Sequence, residues 1–277
     1  FMEGIIVKNI SNDYTVVSGG ERFICKARGK FRHSNVVPLV GDRVVFDGEG
    51  GIILDILPRR NTLIRPSVSN IDVAFVMASV SPRLDLVLLD KMLTIISFNN
   101  IEPVICFTKM DLIGDEKERD KYTGLMDYYR GIGYRVVCND EIEEIGKIIR
   151  GKVVVFSGQS GSGKSTLVNR LDSSLELKTN EISKALGRGK HTTRHNELYE
   201  VCGGYVVDTP GFSSVDFRGM DRSDIRDNFR EMYEYLDECK YRDCMHDKED
   251  GCRVKELVMD GTILRSRYDN YIMFIKK

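Results

Sequence analysis

Between residues 4 and 57 the apolar positions fall in short, roughly alternating runs broken by Gly-Gly and Asn-Asp turns. The runs Gly4–Val7, Asp13–Val17, Glu21–Ala27, Arg43–Phe46 and Gly51–Leu57 have the period of half-buried strands, so this segment is expected to form a small β-barrel or sandwich. Pro58 to Pro66 breaks the pattern and reads as a linker with a basic face (Arg59, Arg60, Arg65). From Ile71 the period changes. Apolar runs at Val73–Met77, Pro103–Phe107, Arg135–Val137, Lys152–Phe156 and Tyr205–Val207 read as strands, and Leu86, Leu89, Leu93 and Ile96 share one helical face between the first two. Strands alternating with helical segments predict a mostly parallel α/β sheet. Beyond Val215 the chain turns polar and helical and ends in a tail carrying Arg265, Arg267, Lys276 and Lys277. The expected architecture is multidomain α/β: residues 1–66 as a barrel with its linker, 67–215 as the sheet domain and 216–277 as a helical unit.

Candidate chemistry concentrates at the ends of the predicted strands. Gly158-Gln159-Ser160-Gly161-Ser162-Gly163-Lys164-Ser165 follows one strand and opens a helix predicted over Thr166–Leu171. Glycines there let backbone N–H groups turn inward around phosphates, and the helix N-terminus adds a favourable dipole. Lys164 would bridge β- and γ-phosphate oxygens, Ser165 would place its hydroxyl on Mg²⁺, and Thr166 opens the helix behind them. Asp208-Thr209-Pro210-Gly211 follows another strand, where Asp208 would hold the same Mg²⁺ and the Gly211 N–H would sense the γ-phosphate. Thr108-Lys109-Met110-Asp111 ends a third strand. The Asp111 carboxylate can accept from the guanine N1–H and 2-amino group, which adenine does not present, while the Lys109 stem packs on the base. Asn139 is a candidate for a further base-contacting loop.

Gly187 to Arg194 forms a basic, Gly-rich stretch between phosphate loop and Asp208, so Thr192 or Thr193 is expected to reach Mg²⁺. The residue after Gly211 is Phe212, which cannot orient water, and His191 is the nearest group suited to that task. In Ras-like GTPases the guanine reader comes after the phosphate loop and switch. Here it comes first, so the order reads as a circular permutation.

Cys239-x4-Cys244-x-His246-x5-Cys252 offers three thiolates and an imidazole, a donor set suited to a closed tetrahedral Zn²⁺ site. The remaining four cysteines are scattered along predicted strands and read as small core residues. Composition adds mostly exclusions. With 41 Lys and Arg against 42 Asp and Glu, net charge gives no global attraction to nucleic acid or membrane, and any basic surface must be local. Arg28, Lys30, Arg32, Arg59, Arg60 and Arg65 are candidates for phosphate contacts. No apolar run reaches the ~18 residues that span a bilayer and no leader-like stretch opens the chain. Seven cysteines, an odd number with only three clustered, and no leader-like stretch favour a reducing cytoplasm over a disulfide framework; no membrane contact and a monomeric state are expected as well.

Taken in this order, these motifs resemble the bacterial ribosome small subunit-dependent GTPase A family over nearly the whole chain. The resemblance implies an OB-like barrel, a permuted GTPase core and a zinc domain. It also implies GTP hydrolysis stimulated by the small (30S) ribosomal subunit late in its maturation, contact with that subunit's rRNA, and participation of the His191 position in hydrolysis. Two positions depart from the family pattern: Thr108 stands where Asn is commoner, and Cys138-Asn139 where a Ser-containing loop is expected. The rival reading is a passive rRNA-binding assembly factor with incidental hydrolysis.

Overall fold

The computed structural model describes residues 1–29, 31, 36–63, 67–172, 197–207 and 216–276. The five N-terminal runs form strands β1 (Met2–Ile10), β2 (Asp13–Ser18), β3 (Glu21–Ala27), β4 (Arg43–Asp47) and β5 (Ile52–Ile56). They close in the order β1-β2-β3-β5-β4, so the barrel alternative is the one realised and the sandwich is not. The β3–β5 pair is parallel and the others are antiparallel. Closure leaves no free sheet edge. Alternate residues Tyr14 and Val16, with Ile6, Cys25, Phe46 and Ile53, fill the interior.

The segment after Pro58 is more ordered than a linker. β6 (Thr62–Leu63) pairs antiparallel with β7 (Val68–Ser69), and the Asn61 side-chain amide imitates a ladder: its Nδ2 donates to the Ile71 carbonyl at 2.8 Å and its Oδ1 accepts from the Ile71 N–H at 2.9 Å. Of its basic residues Arg59 and Arg60 are ion-paired, and Arg65 lies outside the described residues. Arg59 donates through Nε and Nη2 to both oxygens of the fully buried Asp42, each at 2.7 Å, and Arg60 pairs with Asp72 at 2.6 Å. Arg59 is therefore a poor phosphate contact, because freeing it would leave Asp42 buried without its guanidinium.

The second sheet has six strands in the order β10-β9-β8-β11-β13-β12. β8 (Val73–Ser79), β9 (Glu102–Thr108), β10 (Arg135–Cys138), β11 (Val153–Ser157) and β13 (Gly204–Val207) run parallel, and the edge strand β12 (Leu198–Val201) is antiparallel. The pattern missed β12 because its two buried residues, Leu198 and Val201, stand three apart rather than alternating. β8 is buried along its whole length, as expected of a strand covered on both faces. Helix α1 (Leu86–Phe98) carries the predicted stripe, with Leu89, Leu93 and Ile96 buried and Leu86 at the margin. Asp85 caps it by accepting from the Leu88 N–H at 3.1 Å. Helices α2 (Glu116–Gly131), α3 (Ile142–Ile149) and α4 (Lys164–Leu171) complete the layers. Cys25 and Cys106 are fully buried as read from the pattern, whereas Cys138 and Cys202 are only partly covered.

The C-terminal unit consists of α5 (Arg222–Asp227), α6 (Arg230–Glu234), α7 (Arg253–Met259) and α8 (Arg265–Ile275) around Ile225, Phe229, Met232, Tyr271 and Phe274. The tail predicted to be polar is not wholly so, since Arg267 is 1% exposed. Among the described residues no helix is long and apolar enough to cross a membrane.

Candidate nucleotide site and metal centre

The C-terminal ends of β9, β8 and β11 lie side by side, where ligands bind open parallel sheets. Residues Gly158–Gly163 connect β11 to α4. Gly158 has φ +148°, and a Cβ there would lie 2.9 Å from the Cβ of Met77, so a side chain does not fit. Gly163 precedes α4 in a left-handed conformation, and no side chain caps the helix, which leaves the first-turn N–H groups available to an anion. Lys164 donates through Nζ to the carbonyls of Gly158 at 2.8 Å and Gln159 at 3.0 Å, and burial pulls its pKa down. Ser160, Gly161, Ser165 and Thr166 are exposed, while Ser162 is buried inside the loop.

Thr108 closes β9 and is fully buried, its Oγ1 donating to the Ser162 carbonyl at 2.8 Å. The hydroxyl thus ties this element to the phosphate loop where an asparagine amide was the commoner expectation. Lys109 adopts a left-handed conformation with φ 61°. Its Nζ donates to the carbonyls of Gly161 at 2.7 Å and Ser81 at 2.6 Å. The short 3-10 turn Met110–Leu112 then leaves Asp111 exposed, so only a bound base would desolvate its carboxylate. Asn139 follows β10 beside it. Its N–H donates to the Phe107 carbonyl at 2.9 Å, and its own carbonyl accepts from Arg170 Nη1 at 3.1 Å. The backbone there continues the sheet, which brings Asn139 to the same edge as Thr108.

β13 lies beside β11, with Val153 opposite Tyr205, and delivers the chain next to the phosphate-loop strand. Asp208, Gly211 and Phe212, and likewise His191, Thr192 and Thr193, lie outside the described residues. The Lys109–Ser81 contact of this site was not visible in the sequence, because the acceptor is a backbone carbonyl and no side-chain motif marks it.

The Cys/His cluster assembles as its spacing predicted. The ligand atoms of Cys239, Cys244, His246 and Cys252 all lie within 4.8 Å of one another. His246 Nδ1 is 3.3 Å from Cys252 Sγ and 3.6 Å from Cys239 Sγ, and those two sulfurs are 4.0 Å apart. A tetrahedral Zn²⁺ with the usual ~2.3 Å Zn–S bonds sets sulfur–sulfur edges at about 3.8 Å, so the donor set fits. Nε2–H of His246 donates to the Met232 carbonyl at 3.1 Å, which fixes the tautomer and leaves the Nδ1 lone pair facing the sulfurs. Burial pushes the Cys244 thiol up to about 12 and the His246 imidazole down to about 4, so the cluster favours neutral donors until a cation displaces the thiol protons. Such a centre would be structural, with no open coordination position.

Comparison with known proteins agrees with this geometry. Residues 56–218 match the RsgA GTPase family and residues 3–52 the RsgA N-terminal domain. A relative from Enterococcus faecalis, described as small ribosomal subunit biogenesis GTPase RsgA, is 45% identical over 282 residues, covering 99% of this chain and 95% of its own. The protein of the same description from Bacillus subtilis is 43% identical over 286 residues, covering 99% and 96%. The crystal structure of YloQ, described as a circularly permuted GTPase, superposes with a TM-score of 0.87 at 37% identity, covering 99% of this chain and 94% of that one. YjeQ from Thermotoga maritima gives 0.85 at 35%, covering 99% and 97%. With a guanine-type element hydrogen-bonded to a phosphate loop that follows it in sequence, and matches that run the length of the barrel and the sheet, the chain belongs to the RsgA GTPase family.

Proposed function

We propose that this protein is a Mg²⁺-dependent GTP hydrolase that acts on the small (30S) ribosomal subunit late in its maturation, with turnover stimulated by that subunit. The observation that carries the reading is the Lys109 and Thr108 contacts to Gly161 and Ser162, which hold the base-reading and phosphate-binding elements in one frame. GTP would sit with its phosphates on Gly158–Thr166, including Lys164, and its base on Asp111. Mg²⁺ would be held by Ser165 and Asp208, with Thr192 or Thr193 joining when the Gly211 N–H meets the γ-phosphate. His191 would orient water in place of the apolar Phe212. Cys239, Cys244, His246 and Cys252 would hold one Zn²⁺. The division into 1–66, 67–215 and 216–277 assigns RNA contact to the barrel. Support comes from exposed Arg22, Lys26 and Arg28 around Ile24, which is 64% exposed, on and beside β3. The protein would work as a cytoplasmic monomer.

The test is phosphate release from GTP and from ATP, with and without purified 30S subunits, for wild type and Lys164→Ala. Slow GTP turnover that rises with subunits, indifference to ATP and loss in Lys164→Ala are expected. GTP turnover unaffected by subunits removes the ribosomal stimulus, and equal use of ATP removes the role of Asp111.

A further inference from the structure

Ser79 ends β8, opposite Thr108 in the parallel register with β9, and its side chain is buried (3% exposed). Its hydroxyl donates to the Ser81 carbonyl at 2.8 Å and accepts from the Ser81 N–H at 3.2 Å. One small side chain therefore fixes both polar groups of Ser81, folding the residues after β8 into a tight turn. The ladder continues past it, since the Val80 N–H donates to the Thr108 carbonyl at 3.3 Å. The carbonyl so oriented is the one that accepts from Lys109 Nζ at 2.6 Å, and the same ammonium reaches Gly161 of the phosphate loop at 2.7 Å. A carbonyl has two lone pairs and an ammonium three protons, so all these bonds coexist.

We propose that Ser79 is a positioning residue for guanine-nucleotide binding, acting through Ser81 and Lys109 to lock the base-reading element onto the phosphate loop. The proposal rests on the reading of Lys109 and Asp111 as the guanine element. Its physical content is preorganisation. A ligand gripped at both ends binds tightly when the two grips are already at the right separation, because it need not order them itself. Lys109 is the bolt between them, and Ser79 sets the carbonyl that keeps its long, rotamer-rich side chain in place. The turn comes from the central strand β8, which precedes the guanine element in the chain, so a residue that does not touch nucleotide contributes to nucleotide affinity.

The test is the dissociation rate of fluorescent mant-GDP from the full chain. Ser79→Ala should release it about three- to tenfold faster, the scale of losing one hydrogen bond in a shielded charge-assisted network. Ser79→Thr, which keeps the hydroxyl, should release it more slowly than Ser79→Ala. In a Lys109→Met background Ser79→Ala should add nothing, since its effect passes through that ammonium. An unchanged rate in Ser79→Ala, beside a wild type that binds mant-GDP, overturns the positioning role alone. Equal acceleration in the Lys109→Met background also overturns it, because Ser79 would then act through general stability. A wild type that binds mant-GDP no better than its adenine counterpart overturns the guanine reading and the proposal with it.

Discussion

The GTPase sheet meets its two neighbours through charge pairs of contrasting burial. On the C-terminal side Arg267 of α8 donates to Glu231 of α6 through Nε at 2.6 Å and Nη2 at 2.8 Å, and to Asp90 of α1 through Nη1 at 2.7 Å. The Tyr129 hydroxyl and Asn270 Nδ2 saturate Asp90 at 2.5 and 2.6 Å, and the guanidinium lies 4.3 Å from the Phe229 ring centre. All three charged side chains are 1% exposed. Burial pushes the Asp90 carboxyl up against the single bond from Arg267. In Glu231 burial is outweighed by the two-pronged guanidinium, which holds that carboxyl below its usual range. On the barrel side the exposed contact is a bridge between Lys8 and Glu197, with an ion pair at 2.8 Å between side chains 31% and 19% exposed; the buried part runs through β7 and the residue after it, where Ser69 Oγ donates to Asp42 and Asn70 Nδ2 to the Gly41 carbonyl. The linker adds Arg60–Asp72, whose arginine side chain is 60% exposed.

The difference lies in what each seam does when disturbed. A dry network with one cation between two anions tolerates no partial loss, because removing one member strands the others in low dielectric. Water-screened pairs shift and re-form at little cost. The C-terminal unit is thus held to α1 and α2 as one block, and any nucleotide-driven swivel of it would have to break the Arg267 network. On the barrel side only the exposed charge pairs are soft, because the buried apolar side chains of barrel and sheet form one continuous cluster.

The largest disturbance expected is loss of the proposed zinc. Cys244→Ser, or strong chelation, should unfold the C-terminal unit, as structural zinc supplies on the order of 10 kcal/mol in small domains. Elemental analysis should fall from one zinc per chain while protease cleavage appears within residues 217–276; an intact unit without metal would sink the structural assignment. Next, Arg267→Met should cost about 3–5 kcal/mol in urea unfolding, and adding Asp90→Asn with Glu231→Gln should recover part of it by removing the stranded charges. Arg59→Met should cost about 2 kcal/mol, since buried Asp42 keeps its bonds from Ser69 Oγ and the Leu39 N–H and loses only the guanidinium. Lys8→Ala should change stability by less than about 1 kcal/mol. If Lys8→Ala rivalled Arg267→Met in the same unfolding series, the contrast between the seams would be wrong.

Much of this molecule is written locally. The five barrel strands, the phosphate loop between a buried strand and a helix, and the Thr108–Asp111 turn follow from short-range periodicity and glycine placement, which act through backbone sterics over a few residues. The zinc donors lie close along the chain, so their convergence needs little more than a turn. Other features depend on partners the chain supplies only after folding. Arg267 sits in a polar, helical stretch that reads as a solvated tail, and its burial is decided by Asp90, 177 residues away in sequence. Arg59 reads as a surface cation until Asp42 is found beneath it. The Ser79–Ser81–Lys109 relay ends on a carbonyl, a group every residue carries and no pattern distinguishes. The sequence determined most of the elements, though not β12 or the β6–β7 pair, and which chemistry they carry, because those are properties of neighbouring residues. Only the tertiary structure decided which charges leave water and which carbonyls face the site, because desolvation and orientation exist only once distant strands and helices have packed.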